Sequence, residues 1–362
     1  SLADTGRALT PLIAETGGIN AMIVDSTALL EQVVGDVMAS AFQSAGQRCS
    51  ACRIVCVQNE IADDFEKMLA GAMAELVVGP PTDQANDVGP VIDSAAHQKI
   101  VTYVERMRSQ NRLIGETPAV DGRGHFVAPV AFAVPSVDMV EEEIFGPVLH
   151  VVRFAGNNIK GLVAEINALG FGLTMGLHSR IDSRVNKIAA QAKVGNIYVN
   201  RNQIGAVVGV QPFGGEGLSG TGPKAGGPYY LARLSEIVTS HLDQDPNELV
   251  GGTELPGPTG ERNTLSFHPR GNILCLGGNQ EVYLSYQVAK AEATGNKVIL
   301  ADPGRELADQ LLDRDIDAVA SDHANRSEIA AQLVRRDGAI IPLLSGHDGF
   351  HRYCVERTVS ID

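Results

Sequence analysis

The chain has 362 residues, of which 44% are hydrophobic, and its 43 acidic and 29 basic side chains give a net charge of −14. This length and hydrophobic content predict a globular protein of two or three domains. The acidic residues are dispersed rather than gathered in a tail, which argues against nucleic-acid binding through bulk charge. No apolar run reaches the length of a membrane span and the N-terminus has no signal-peptide pattern, so we expect a cytoplasmic protein.

The five cysteines do not form the even, closely spaced set of a disulfide framework, which favours a reducing compartment. Cys49 and Cys52 have the spacing seen in redox and zinc sites. A structural zinc site needs a second Cys or His pair nearby, and the next histidine is His97. We therefore predict no metal.

The first predicted elements surround a short polar turn. A strand at 21–24, a helix at 28–44 and a strand at 53–57 leave Cys49 on a helix-to-strand connection. The neighbouring guanidinium of Arg48 and the backbone N–H groups of the turn favour the thiolate of Cys49, which is the nucleophilic form. Two interpretations of this stretch remain open: a catalytic nucleophile, or a buried structural cysteine.

Glu15 precedes a double glycine and the strand at 21–24. Because one strand and one helix separate Glu15 from Cys49, a βα unit can bring both to one end of a sheet. A glutamate in this position is more often a simple turn residue. Asp25-Ser26-Thr27 supplies N-cap candidates for the helix that leads to Cys49.

Helices and strands then alternate as far as residue 200, which predicts a parallel or mixed sheet. The predicted helices are 62–76, 94–110, 158–169 and 181–192, and strands are predicted at 171–178 and 195–200. Between them, residues 141–147 combine three acids with an aromatic residue and a Gly-Pro turn, which indicates either a solvated face or a ligand contact. The glycine-dense stretch 204–222 does not lie between a strand and a helix, so it favours close backbone approach to a small ligand over a phosphate loop.

Residues 241–264 are rich in Asp, Gly and Pro and predict a linker or flap. Beyond them, residues 272–302 have the order strand, glycine turn, helix, strand and acid, the outline of a dinucleotide-binding unit. The glycine fingerprint is broken, because Asn279 and Val282 occupy the two positions that should follow Gly277. We therefore expect no dinucleotide binding here.

Four motifs occur in a fixed order along the chain: Glu15-Thr16-Gly17-Gly18, Gly46-Gln47-Arg48-Cys49, Glu142-Glu143-Ile144-Phe145-Gly146-Pro147 and Pro212-Phe213-Gly214-Gly215. Each motif alone is weak. Together, in order and spacing, they resemble the signature set of the aldehyde dehydrogenase superfamily over residues 1–235. The sequences around these motifs are similar to those of the Δ1-pyrroline-5-carboxylate dehydrogenases of this superfamily, in particular to those within bifunctional enzymes of proline catabolism.

The resemblance implies an α/β fold in two domains. Residues 1–240 would form the catalytic domain, an open mixed or parallel sheet with helices on both faces, and residues 1–14 would end a cofactor-binding half that precedes this sequence. Residues 241–264 would form the linker or flap. Residues 265–362 would form a Rossmann-like domain of the same superfamily, non-catalytic and truncated.

The resemblance also implies roles for individual residues. The Cys49 thiolate would attack the aldehyde carbon of L-glutamate γ-semialdehyde, with the oxyanion held partly by the Cys49 N–H, and Glu15 would activate the water that hydrolyses the thioester. The residues implied to contact the substrate are Ser50, Gly205, Ala206 and Phe213, with Arg48 adding a positive field for the carboxylate. Those implied to contact the nicotinamide ribose are Glu143 and Phe145.

NAD is the implied cofactor, and FAD is implied only for the proline dehydrogenase domain of the bifunctional enzymes, outside this chain. The implied partners are the small-molecule substrate and the missing N-terminal half of the same polypeptide, with no nucleic acid. Homo-oligomers and peripheral membrane association of the longer protein are compatible with the resemblance. Two alternatives stay open: an aldehyde dehydrogenase for another small aldehyde, and a structural piece without activity of its own. A cysteine hydrolase would need a histidine base that the sequence around Cys49 does not offer.

Overall fold

The computed structural model describes residues 11–118, 124–234 and 252–362. Contacts divide the chain into two compact units. The Glu15 unit comprises Ser1–Glu15, Val207–Pro258 and Arg262–Thr358, and the Cys49 unit comprises Thr16–Ala206, Thr259–Glu261 and Val359–Asp362.

Strands and helices alternate through the Cys49 unit. They are β1 (Asn20–Val24), α1 (Leu30–Phe42), β2 (Cys52–Gln58), α2 (Asn59–Ala74), α3 (Ser94–Gln110), β3 (Arg112–Glu116), β4 (Val130–Val134), β5 (Val148–Phe154), α4 (Ile159–Ala168), β6 (Phe171–Gly172), β7 (Thr174–His178), α5 (Asp182–Gln191) and β8 (Asn196–Val199). Their order across the main sheet is β8-β7-β1-β2-β5-β4-β3. All neighbours run parallel except β3 and β4, so the predicted mixed α/β sheet is confirmed.

The central strands β1 and β2 are buried at every residue, as expected of parallel strands covered on both faces. Along the strand order of the sheet, the chain moves in one direction from β1 to β2 and in the opposite direction from β5 to β7 and β8. Because such crossovers are right-handed, α1 and α2 cover one face and α4 and α5 the opposite face. Within each pair the two helices pack against one another.

The predicted helix and strand positions agree with those observed, but the predicted N-cap of α1 is wrong. The helix begins after Leu29, which makes no capping hydrogen bond. Asp25 is fully buried and accepts hydrogen bonds from the Thr27 N–H at 2.7 Å and from Arg184 at 2.9 Å. The carboxylate therefore closes a local turn and neutralises a cation, and is not available to cap the helix.

The Glu15 unit contains a smaller parallel sheet. Its elements are β9 (Glu216–Gly217), α6 (Tyr230–Leu234), β10 (Thr253–Leu255), β11 (Arg262–Pro269), β12 (Asn272–Gly278), α7 (Val282–Ala293), β13 (Lys297–Leu300), α8 (Leu307–Leu311), β14 (Ala318–Asp322), α9 (Arg326–Leu333), β15 (Leu343–Leu344) and the part of β16 (Cys354–Ile361) that ends at Thr358. Strands in the order β13-β12-β14-β15 run parallel. The βαβ arrangement predicted for 272–302 is present as β12, α7 and β13.

The glycines at the end of β12 lie against side chains of their own unit. Gln287 accepts a hydrogen bond from the Gly277 N–H and donates one to the Gly277 carbonyl, both at 2.9 Å. A Cβ on Gly278 would lie 2.6 Å from the Tyr283 ring and 2.8 Å from Asp322. That this unit binds no dinucleotide stays a prediction, and the occupied turn is a physical reason for it.

The predicted domain boundaries also stay a prediction. Part of the predicted linker, residues 241–251, lies outside the described residues, and Thr253–Leu255 is a strand.

All five cysteines are described, and none forms a disulfide. Within the described ranges, no helix is both long and apolar enough to cross a membrane, and no three His, Cys, Asp or Glu side chains are grouped to hold a metal ion.

Candidate active site

Cys49 lies in a turn at the amino end of β2. The Arg48 carbonyl accepts a hydrogen bond from the Ala51 N–H at 3.1 Å and closes this turn. The residues before it, Ser44, Ala45 and Gly46, all have left-handed backbone, with φ of 55°, 53° and 65°. For a residue with a Cβ this conformation costs about 1–2 kcal/mol. The chain therefore bends sharply out of α1 into the turn, at a position where packing must compensate for strain.

A buried amide holds the backbone on both sides of Ser50. Asn20 is 3% exposed, and its Nδ2 donates to the Cys49 carbonyl at 2.7 Å and to the Ala51 carbonyl at 2.9 Å. Its Oδ1 accepts from the Thr174 N–H at 3.1 Å. The sequence analysis missed Asn20, although a polar residue at the head of an otherwise apolar strand was a usable signal.

A buried guanidinium lies on the other side of the turn. Arg53 is 1% exposed and donates to the Arg48 carbonyl at 3.2 Å, the Gly146 carbonyl at 3.1 Å and Glu143 Oε1 at 3.3 Å. Burial lowers the pKa of Arg53, while the charges of Glu143 and Cys49 act in the opposite sense. The sequence analysis placed the cation beside Cys49 on Arg48 alone and read Arg53 only as the start of a strand.

The Glu143 carboxylate occupies space left by a glycine. A Cβ on Gly17 would overlap Glu143 Oε2. The Glu143 side chain is 18% exposed, and the neighbouring Phe145 is 44% exposed. Arg53 Cζ lies 5.5 Å from the centroid of the Phe145 ring. A carboxylate can accept hydrogen bonds from the hydroxyl groups of a ribose. The role of these two residues toward NAD stays a prediction.

The loop after β8 reaches the same turn through Gln203, a second residue that the sequence analysis missed. Gln203 is fully buried and donates to the Ser50 carbonyl at 3.4 Å. Gly205 follows with φ of 73°, and a Cβ there would lie 3.7 Å from Arg48 Nη1. The structure thus brings Arg48, Ser50 and Gly205 together, with Ala206 next along the loop.

Glu15 lies against the glycine motif of its own unit. Its carboxylate accepts a hydrogen bond from the Gly215 N–H at 3.0 Å, and a Cβ on Gly214 would come within 2.9 Å of Glu15 Oε1. Burial of the carboxyl raises the pKa of Glu15 to about 7, although the Gly215 hydrogen bond and the Lys224 charge act to lower it. A carboxylate with this pKa is matched to proton transfer near neutral pH.

Lys224 anchors the loop that carries this motif. It is 2% exposed, and its Nζ donates to the Gly214 carbonyl at 2.8 Å. Burial lowers the pKa of Lys224 to about 7, opposed by the charges of Glu356 and Glu15. The Lys224 N–H donates to Glu356 at 2.6 Å, so strand β16 supports the loop. Phe213 exchanges two backbone hydrogen bonds with Ala225 in the same loop.

The predicted site residues therefore fall into two groups. Glu15 and Phe213 belong to the Glu15 unit. The Cys49 unit contains the others, namely Arg48, Cys49, Ser50, Glu143, Phe145, Gly205 and Ala206.

Residues 2–240 match the model of the aldehyde dehydrogenase family. The chain belongs to this family. The bifunctional protein PutA of Klebsiella aerogenes is 42% identical, and the match covers 98% of the chain and 33% of that protein. A 1-pyrroline-5-carboxylate dehydrogenase of Geobacillus thermodenitrificans is 41% identical over 62% of the chain and 43% of its own length. The chain thus spans about a third of the PutA relatives that it matches.

Solved structures of family members give the same picture. A crystal structure of a Bradyrhizobium japonicum proline utilization A mutant is 55% identical with a TM-score of 0.63, covering 64% of the chain and 24% of that protein. A Thermus 1-pyrroline-5-carboxylate dehydrogenase with bound NAD is 35% identical with a TM-score of 0.56, covering 61% of the chain and 43% of its own. In both comparisons the sequences are similar as well as the folds.

Proposed function

We propose that the chain supplies the nucleophile and the hydrolytic base of an NAD-dependent L-glutamate γ-semialdehyde dehydrogenase, part of a longer bifunctional protein of proline catabolism. The observation that carries this proposal is the turn at Cys49, whose flanking carbonyls are held by buried Asn20 and Arg53 in a chain of this family. The names of the relatives, PutA and 1-pyrroline-5-carboxylate dehydrogenase, support the choice of substrate.

Cys49 begins the reaction as a thiolate and forms a C–S bond to the aldehyde carbon, while the carbonyl electrons move to the oxygen. The Cys49 N–H then stabilises the oxyanion. Glu143 and Phe145 would hold the ribose of NAD, which would supply the acceptor for the hydride that leaves this carbon. The remaining acyl group is a thioester on Cys49.

Glu15 completes the cycle by removing a proton from water, whose oxygen attacks the thioester carbon as the Cys49 thiolate leaves. The product is glutamate. Arg48, Ser50 and the backbone of Gly205 and Ala206 recognise the amino and carboxylate groups of the substrate, and Phe213 packs on its aliphatic middle. We further propose that the longer protein carries a preceding cofactor-binding half, that FAD belongs to a separate proline dehydrogenase domain, and that the protein is cytoplasmic.

The test is oxidation by the protein that the complete gene encodes, compared between L-glutamate γ-semialdehyde and butanal. We expect kcat/KM to favour the semialdehyde by at least about 100-fold, because an analogue without the amino and carboxylate groups leaves the polar groups that recognise them without partners. Equal values would support the alternative of a dehydrogenase for another small aldehyde. Absence of oxidation with either compound would support a structural role.

A further inference from the structure

We propose that Arg53 is a positioning residue that sets the orientation of the Cys49 N–H and of the Glu143 carboxylate together. This inference rests on the proposed function, since it assigns a role within that reaction. Arg53 is 1% exposed, and three oxygen atoms from two distant parts of the chain accept its hydrogen bonds.

Two hydrogen bonds to the Arg48 carbonyl fix the plane of the peptide between Arg48 and Cys49. The carbonyl of Arg48 accepts hydrogen bonds from Arg53 Nη2 at 3.2 Å and from the Ala51 N–H at 3.1 Å. In a trans peptide the C=O and N–H groups are coplanar and point in opposite directions. The N–H of this peptide belongs to Cys49. Fixing the Arg48 carbonyl therefore fixes the direction of the N–H that stabilises the oxyanion, and a donor on the carbonyl also polarises that N–H.

Arg53 also holds the Glu143 carboxylate. The same Arg53 nitrogen, Nη2, donates to Glu143 Oε1 at 3.3 Å, and Nη1 donates to the Gly146 carbonyl at 3.1 Å. Nη2 has two hydrogens, one for the Arg48 carbonyl and one for Glu143. Because both acceptors share one rigid nitrogen, a displacement of the guanidinium misplaces the N–H for the oxyanion and the carboxylate for the ribose at the same time.

The planar fork is required for this arrangement. A lysine in the same place keeps the charge near Cys49 but has a single ammonium head, which cannot reproduce the directions that Arg53 offers to Arg48, Glu143 and Gly146. Arg53→Lys therefore separates geometry from charge.

The experiment uses the protein encoded by the complete gene and three readouts. Acylation of Cys49 by p-nitrophenyl acetate without NAD reports nucleophilic attack and oxyanion stabilisation. Alkylation by iodoacetamide across pH reports the thiolate, and the KM for NAD reports the ribose contact. Arg112→Lys is the matched control, since the Arg112 side chain is 56% exposed and pairs with Glu66 at the edge strand β3, three positions from β2 in the sheet.

We expect Arg53→Lys to lower ester acylation about 10- to 100-fold, less than the loss of a whole oxyanion donor, and to raise the KM for NAD at least about threefold. The alkylation profile stays near wild type, and Arg112→Lys changes none of the three readouts. A folded Arg53→Lys protein that changes neither acylation nor the KM for NAD, or only one of them, overturns the proposal. In those cases wild-type oxidation of the semialdehyde still stands, so the two proposals fail separately.

Substitution of a buried, hydrogen-bonded arginine can prevent folding, because the groups that it pairs with are left without partners. If Arg53→Lys does not fold, the double variant Arg53→Met with Glu143→Gln removes both charges together and is compared with Glu143→Gln alone. We expect ester acylation at least about tenfold slower in the double variant. Equal rates in the two proteins overturn the proposal.

Discussion

At the residue scale, buried side chains from other parts of the chain hold the backbone carbonyls around Cys49. Arg53 holds the carbonyl of Arg48, and Asn20 holds those of Cys49 and Ala51. These hydrogen bonds fix the directions of the backbone groups, so the proposed reaction needs little reorganisation of the N–H groups around Cys49. Such preorganisation is the usual source of oxyanion stabilisation in enzymes.

Replacement of Glu15 by glutamine separates the two halves of the proposed cycle. The amide cannot take a proton from water, but it leaves attack by Cys49 unaffected. We expect Glu15→Gln to release about one equivalent of NADH per site in a burst and then to stall, with steady-state turnover reduced at least about 100-fold. Stopped-flow absorbance of NADH gives both phases. Loss of the burst together with turnover would argue against the assigned role of Glu15.

The pH dependence of thioester hydrolysis follows from the raised pKa of Glu15, about 7. The carboxylate is the active form, so hydrolysis should fall about tenfold per pH unit below this value and level off above it.

The charge of Lys224 lowers the pKa of Glu15, and Lys224→Met should therefore move the midpoint of the pH profile to higher pH. Rapid-quench decay of the acylated enzyme measures this, with exposed Lys67→Met as control. An unchanged midpoint in Lys224→Met would contradict the assignment.

At the element scale, the left-handed segment between α1 and the turn determines how Cys49 is presented. Gly46 combines φ of 65° with a backbone so close to Gly146 that a Cβ would overlap its carbonyl. Gly35 lies in the middle of α1, where a Cβ would meet nothing within 4 Å. The backbone conformation and close packing therefore require glycine at position 46, whereas a Cβ is accommodated at position 35.

The two alanine substitutions should have opposite effects on the free energy of unfolding. Gly46→Ala should destabilise the protein by at least about 2 kcal/mol, from left-handed strain and overlap. Gly35→Ala should stabilise it by about 0.5–1 kcal/mol, because alanine loses less backbone entropy in a helix. Urea unfolding measures both. Equal effects would show that the backbone at Gly46 adjusts freely.

Several helices and strands could be predicted from the sequence because their signals are local, whereas the strands Arg112–Glu116 and Val148–Phe154 were not predicted. The helix predicted at 94–110 is observed at Ser94–Gln110, and the strand predicted at 53–57 at Cys52–Gln58. The site residues assigned from the four family motifs stay a prediction. Asn20, Arg53 and Gln203 were missed because each has a partner 29 to 153 residues away along the chain, which only the fold brings close.

At the scale of the whole molecule, the chain has two compact units, and each contains part of the proposed chemistry. In the Glu15 unit, Glu356 of β16 accepts a hydrogen bond from the Lys224 N–H, and Arg357 donates to Glu216 at 3.3 Å. The C-terminal strand therefore supports the loop on which Glu15 rests. Sequence alone gave no sign of this support, since these residues lie more than 130 positions beyond the loop.

The 362-residue chain by itself should oxidise the semialdehyde poorly. On the proposed function, part of the oxyanion hole and most of the NAD site come from a preceding segment, and their loss should lower NAD-dependent turnover at least about 1,000-fold relative to the product of the complete gene. NADH formation by the two purified proteins, at matched concentration, measures the difference. Robust turnover by the 362-residue chain would contradict this division of the site.

The central claim is that Cys49 carries the acyl group. The most direct test is peptide mass spectrometry of the complete gene product with Glu15→Gln, quenched in acid after reaction with L-glutamate γ-semialdehyde and NAD, beside Cys49→Ala. We predict a glutamyl thioester on Cys49, in amounts equal to the NADH released, and neither thioester nor NADH in Cys49→Ala. NADH release without an acyl group on Cys49, or an acyl group on another cysteine, would contradict the account.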